Sequence, residues 1–211
     1  GLTFNRKSTV GLVGSMGEIR LGRDYSPQFY PDAQYDPFGT NGVASSLIAY
    51  GGGFAAVRAS NMIAYHSPNV GGVTVMLGTY MGENNTGAAA GKAGDGNGIH
   101  VRYAKGPLAL GIASSTTKTG LTTEVKTSTM GGSYNFGVAT VMFNSNTVSN
   151  TGAVDLEGMM IGAMIPMAGG TFKFSNASLK QGAAETKRNA VGFVKPLSKR
   201  TDIYATYARV S

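Results

Sequence analysis

In the stretch VTVMLGTYMG, residues 73–82, large apolar side chains recur at every second position from Val73 to Leu77. Val73 and Leu77 fall on one side of an extended chain, and Thr74 and Tyr80 fall on the other. Successive side chains of a β-strand point to opposite faces of its sheet. The spacing therefore predicts a β-strand with one apolar face and one face of small or polar groups.

The same two-residue period recurs along the chain in segments of about ten residues separated by turn residues. LALGIASST (108–116), IHVRYAKG (99–106) and TFKFSNASLK (171–180) each set an apolar side against a small or polar side. The pattern predicts an all-β protein of about 12 antiparallel strands. The predicted strands cover residues 4–14, 18–24, 54–67, 73–81, 99–105, 108–117, 127–136, 138–146, 156–167, 171–180, 188–195 and 202–210.

Alternation alone fits both a soluble β-sandwich and a transmembrane β-barrel, which differ in the face that is wet. The connections between strands separate the two architectures. Tight links such as AKGP (104–107) and MAGGT (167–171) alternate with long polar links such as ENNTGAAAGKAGDGNG (83–98) and QGAAETK (181–187). Short turns at one rim and long loops at the other are typical of outer-membrane barrels. We therefore predict a transmembrane antiparallel β-barrel.

The composition excludes several other classes of protein. Charged residues make up 14% of the chain, below the roughly 25% of soluble domains, so few charges are available for a water-facing surface. No apolar run approaches the ~18 residues of a transmembrane helix, which leaves strands as the means of crossing a membrane. The net charge of +7 arises from dispersed Lys and Arg residues, without a nucleic-acid-binding motif.

One segment departs from the alternating pattern. GRDYSPQFYPDAQYDPFGTNGVASS (22–46) follows a predicted strand and is rich in Pro, Asp, Tyr and Gly. Ordinary hairpin loops contain only about two to five residues. A loop of this length indicates a specialised role rather than a simple connection.

Three segments together resemble the Gram-negative general porins of the β-proteobacterial and neisserial branch. They are FNRKSTVGLVGSMGEIRLGRDYS (4–26), VRASNMIAYHSPNVGGVTVMLGTYMG (57–82) and KPLSKRTDIYATYARVS (195–211). The resemblance implies a trimeric barrel of 16 strands when complete; the alternative is a smaller closed barrel of 12 strands, since that number is even. It also implies that residues 1–211 form one partial porin domain, without the first three strands and the last. Residues 24–50 would then be a constriction loop folded into the lumen.

The resemblance also implies which residues narrow the pore. Arg6 in FNRKS and Arg58 in VRASNMIAY match two arginines of the barrel wall, and the loop acids Asp32 and Asp36 would face them. The simpler alternative for both acids is a role in turns beside Pro31 and Pro37. Further candidates on lumen faces are Arg20, Arg102 and Lys173.

We therefore expect a water-filled outer-membrane channel for passive diffusion of small hydrophilic solutes and ions, with weak anion preference. We expect the protein to form a homotrimer and to contact membrane lipid and lipopolysaccharide. We do not expect it to bind nucleic acid. His66 and His100 lack a carboxylate at a recognisable spacing, so we expect neither a metal or cofactor site nor a catalytic triad. The alternatives are an outer-membrane barrel with a binding or enzymatic role and a soluble β-sandwich that binds a partner.

Overall fold

Twelve strands within the described residues form a single antiparallel sheet. The computed structural model describes residues 6–49, 57–82 and 92–211, and the predicted strand starts at Phe4 and Phe54 lie outside these ranges. Each strand pairs with its neighbours in chain order. The strands are β1 Ser8–Gly14, β2 Gly17–Tyr25, β3 Arg58–His66, β4 Val73–Tyr80, β5 Gly96–Lys105, β6 Leu108–Lys118, β7 Glu124–Asn135, β8 Thr140–Asn150, β9 Leu156–Met167, β10 Gly170–Gln181, β11 Ala184–Ser198 and β12 Thr201–Val210.

Two short helices lie in the long connection after β2, where the sequence analysis predicted no helix. They are α1 (Phe29–Gln34) and α2 (Ser46–Ala49). Pro31 is compatible with α1 because the first helical turn does not use all of its backbone N–H groups. Within the three described ranges, no helix has the length and apolarity needed to span a membrane.

The two faces of the sheet reverse the arrangement of a water-soluble protein: apolar side chains are exposed on one face, and polar side chains are buried on the other. On one face, which we call the outer face, Leu77, Ile112 and Ile161 are 46%, 61% and 54% exposed. On the opposite, inner face, the polar side chains of Asn144 and Ser175 are both 0% exposed. A β-sandwich buries its apolar faces between two sheets, whereas a membrane barrel turns its apolar face toward lipid. A single sheet with an exposed apolar face excludes the sandwich.

The link at 167–171 is a tight turn, as the sequence predicts. Ala168 and Gly169 connect β9 to β10 with φ angles of 51° and 70°. Two successive residues with positive φ are the signature of a type I′ turn, whose twist matches that of a hairpin. The strand ends at Tyr25 and Tyr80, which are followed by much longer connections, lie at the opposite rim.

The predicted long connection at 181–187 was wrong. β10 continues to Gln181 and β11 begins at Ala184, so only Gly182 and Ala183 join them. Residues 184–187 were assigned to a loop because three of the four are polar and they do not alternate with apolar residues. A strand that extends beyond the apolar part of the sheet needs no such alternation, since both of its faces are then wet.

Residues 26–49, which we call the covering loop, lie against the inner face. Their side chains pack on glycines where an added Cβ would meet the loop. These contacts are Pro27 on Gly78 and Gly98, Tyr35 on Gly111 and Gly131, Pro37 on Gly162, and Phe38 on Gly192. We call these six glycines the glycine track. Without side chains at these positions, the loop approaches the sheet backbone closely across β4 to β11.

Gly131→Ala tests whether the glycine track seats the covering loop. An added Cβ at this position would lie 2.6 Å from the Tyr35 ring, so the ring must move. Overpacking of this kind costs about 1–3 kcal/mol. We expect chymotrypsin to cleave the aromatic-rich part of the loop about tenfold faster in this variant, because the loop leaves the sheet more often.

Gly14→Ala is the matched control. Gly14 lies in β1 and has no heavy atom within 4 Å of the position of an added Cβ. Its cleavage rate should equal that of the unmodified protein. Equal rates for the Gly14 and Gly131 variants would show that contact with the glycine track does not hold the loop.

Candidate functional site

Asp36 organises the covering loop from within. Its carboxylate accepts hydrogen bonds from the backbone N–H groups of Phe38 at 2.8 Å, Thr40 at 3.2 Å and Ser46 at 2.9 Å. The side chain is buried. Because Ser46 is the first residue of α2, one carboxylate joins a turn to the helix that follows it. These bonds match the turn role that the sequence left as an alternative.

Asp32 anchors α1 to the inner face of β8. Its Oδ1 accepts hydrogen bonds from the side-chain amides of Asn144 and Asn146, each at 3.0 Å. The Asn144 amide also donates to the Pro31 carbonyl at 3.2 Å. Burial raises the pKa of Asp32 to about 7, although the two amide donors act in the opposite direction. The nearby charge of Asp36 adds to the increase.

The sequence analysis expected the loop acids to face Arg6 and Arg58. In the structure their carboxylates point to other partners. The carboxylates of Asp32 and Asp36 accept hydrogen bonds from β8 and from the loop itself, because a buried carboxylate requires such donors. The carboxylate beside Arg6 and Arg58 belongs to Asp24. A pocket of about 260 Å³ is lined by Arg6, Lys7, Asp24, Tyr25 and Arg58.

Arg6, Lys7 and Arg58, which we call the cation cluster, surround Tyr25 where the covering loop leaves β2. The Arg58 guanidinium carbon lies 4.8 Å from the centre of the Tyr25 ring, and its Nη2 donates to the hydroxyl at 3.4 Å. Arg6 interacts with the same hydroxyl. Lys7 Nζ lies 3.0 Å from Asp24 Oδ2. The structure thus brings Arg6 and Arg58 together.

Arg20 is held by carboxylates of its own strand. Its guanidinium donates to both oxygens of Glu18, at 2.8 and 2.7 Å, and to Asp24 at 2.6 Å. Residues 18, 20 and 24 share the inner face of β2, as the alternation predicts. The charge of Arg20 is therefore largely balanced by its neighbours. The pocket of the cation cluster is lined by one carboxylate, Asp24, which forms ion pairs with Lys7 and Arg20.

Arg102 and Lys173 both lie on the inner face but contact different parts of the covering loop. Arg102 acts electrostatically on the Tyr35 hydroxyl, opposing the effect of burial, which raises the pKa of Tyr35. Lys173 Nζ lies 5.8 Å from the centre of the Phe38 ring, within cation–π range. Neither residue lines the pocket at the cation cluster.

The sequence analysis missed three polar residues that hold the loop. Asn144 and Asn146 bind Asp32, and Arg188 donates from β11 to the backbone carbonyl of Ser45. All three side chains are almost fully buried. Their positions alternate with outward residues such as Phe143, so the two-residue period places them on the inner face. Nothing local in the sequence connects them to residues more than a hundred positions earlier.

The exposed apolar outer face, the polar inner face and the loop across that inner face define a class of protein. They are the features of a membrane-spanning β-barrel of the outer-membrane type. A family model described as Gram-negative porin matches residues 1–211, and the chain belongs to this family, whose members reside in the outer membrane. The family consists of channels rather than enzymes.

Individual relatives agree with the family match. Outer membrane porin protein 32 of Delftia acidovorans is 35% identical over 227 residues, covering 99% of this chain and 64% of that protein. The anion-selective porin from Comamonas acidovorans matches with a TM-score of 0.90 at 33% identity, covering all of this chain and 68% of the other. OmpF of Salmonella typhi, solved with daunomycin, shares the fold with a TM-score of 0.80 at 15% identity, covering 96% and 70%.

Docking of the loop through Asp32 should weaken as the pH rises. The pKa of Asp32 is about 7 in the folded protein and about 4 in an unfolded chain, so the protonated form favours folding. This contribution is complete below pH 4 and is lost as the pH rises through 7, with a total on the order of 4 kcal/mol. We expect the melting temperature of the purified protein in detergent to fall between pH 5 and pH 8.

Asp32→Asn should remove this part of the pH dependence. Its side-chain oxygen still accepts from Asn144 and Asn146, but it carries no titrating proton. The melting temperatures of the variant and the unmodified protein should therefore differ less at pH 5 than at pH 8. Parallel curves at all pH values would contradict the assignment of this pKa to Asp32.

Proposed function

We propose that the complete protein to which this chain belongs forms a water-filled channel for passive diffusion of small hydrophilic solutes and ions across the outer membrane. Membership of the porin family supports this role. The inner face supports it as well, because polar side chains such as Asn146, Thr129 and Ser115 line it. In this proposal the covering loop is the constriction, since it lies across the inner face over several strands.

Weak anion preference is part of the same proposal. In this proposal the positive charges of the cation cluster attract the anions. Three cationic side chains gather there around one carboxylate, Asp24, which also binds Arg20. At a distance of about 8 Å, an unopposed charge attracts an anion by roughly 2 kcal/mol at an effective dielectric constant near 20, and less in salt. The relative from Comamonas acidovorans is described as anion-selective.

We further propose that the complete protein is a homotrimer in contact with membrane lipid and lipopolysaccharide. The exposed apolar outer face supports contact with lipid, because side chains such as Leu12 and Ile112 would otherwise face water. OmpT, an outer membrane protein of Vibrio cholerae with a related fold, was solved in a trimer form. No cofactor enters the proposed mechanism, which depends on pore width and charge alone.

Arg58→Ser tests the anion preference. The complete protein would be placed in a planar lipid bilayer under a KCl gradient, and the voltage of zero current would be measured. We expect the ratio of chloride to potassium permeability to fall about fivefold, equivalent to ~1 kcal/mol of lost attraction. An unchanged voltage would show that Arg58 does not set selectivity.

Lys199→Ser is the matched control for charge. Lys199 lies exposed in the turn between β11 and β12, away from the cation cluster, and the substitution also removes one positive charge. It should leave the voltage of zero current unchanged. Cation selectivity of the unmodified protein would overturn the proposed preference, and a lack of channels would overturn the proposed function itself.

A further inference from the structure

A second pocket on the inner face brings together both histidines of the chain. It has a volume of about 250 Å³ and lies between α1 and the strands β3, β4 and β5. We call it the two-histidine pocket. Its polar lining comprises Tyr30, Gln34, His66, Ser67, Thr74, His100 and Arg102. The cation cluster lines a different pocket, at the start of the covering loop.

Three buried nitrogen atoms of this pocket lack hydrogen-bond partners among the described residues. They are Nε2 of His66, Nε2 of His100 and Nε of Arg102. His100 is only 6% exposed. A buried polar group without a partner costs about 1–3 kcal/mol, so such groups are uncommon and call for an explanation. Three of them line one pocket, where a bound ligand would supply the partners.

Strand register assembles these groups on neighbouring strands. His66 of β3 lies opposite Met76 of β4, which in turn lies opposite His100 of β5. Arg102 follows His100 by two residues and therefore shares its face. The ring of Tyr30 stacks on His100, with centroids 5.4 Å apart and planes 9° apart, which fixes the orientation of the imidazole. The covering loop thus forms one wall of the pocket.

The charge of the pocket favours an anion. Arg102 contributes a positive charge, and no Asp or Glu lines the pocket. Glu18 lies opposite His66 in the register, but both of its oxygens accept hydrogen bonds from Arg20. A metal cation would be repelled by the fixed charge of Arg102. Each imidazole can donate through Nε2 in the appropriate tautomer.

We propose that the two-histidine pocket binds a small oxyanion, a carboxylate or a phosphate, through Arg102, His66 and His100. This site is additional to the cation cluster. It rests on the proposed channel function only because the anion would reach it through the aqueous lumen. An anion bound here would be held by directional hydrogen bonds, whereas the cation cluster attracts anions by charge alone.

Isothermal titration calorimetry of the complete protein in detergent tests the site. The probes are sodium acetate and inorganic phosphate, titrated at constant ionic strength in a chloride background. We expect saturable binding of one anion per chain for at least one probe. Heat that does not saturate with either probe would overturn the proposal while leaving the bilayer measurements of anion preference unaffected.

Two variants remove the proposed contacts separately. Arg102→Gln should weaken binding at least tenfold, because it removes the fixed charge. His100→Phe removes Nε2 but keeps an aromatic ring to stack on Tyr30, and it should also weaken binding severalfold. Melting temperatures of the variants establish that they are folded. Unchanged affinity in either folded variant would overturn the assignment.

Matched controls separate this site from general electrostatics and from the cation cluster. Lys105→Gln removes one positive charge from the exposed end of the same strand, β5, and should bind the probe normally. Arg58→Ser should also retain binding. Loss of binding in the Arg58 variant, or saturable binding of Zn²⁺ in place of the oxyanions, would show that the two-histidine pocket does not have the proposed role.

Discussion

The structure depends on one constraint, the two-residue period of an extended strand. Because neighbouring side chains point to opposite faces, each strand carries apolar groups toward one medium and polar groups toward another. Ile112 and Ala113 are adjacent in β6, yet the first is 61% exposed on the outer face and the second is buried on the inner face. The strand residues that hold the covering loop, Asn144, Asn146 and Arg188, lie on the face that this period reserves for polar groups.

The covering loop adds a second requirement to that face. A loop that lies on a sheet needs room above the backbone, and it needs partners for its own polar groups. The glycine track provides the room, while Asn144, Asn146 and Arg188 provide the partners. Glycine would otherwise weaken a strand, since it contributes no side chain to packing. At these positions the close approach of Tyr35 and the loop prolines compensates for that loss.

The fold followed from the sequence more completely than the site did. Strand period and turn residues are local signals, and they predicted all twelve strands as well as the inner positions of Arg102 and Lys173. The partner of Asp32 lies more than a hundred residues away in the chain, and no local pattern encodes that pairing. The helix α1 was missed because Pro and aromatic residues obscured a stretch of only 6 residues.

The placement of the carboxylates matters more for the proposed selectivity than the number of charges does. Asp32 and Asp36 were expected to face Arg6 and Arg58, but each is buried and holds the loop in place. Both carboxylate oxygens of Glu18 accept hydrogen bonds from Arg20. The carboxylates of the covering loop therefore face hydrogen-bond donors of the loop and of β8 rather than the arginines of the cation cluster. Because the same acids fix the covering loop, the position of the loop on the inner face and the placement of its negative charges are set by one group of contacts.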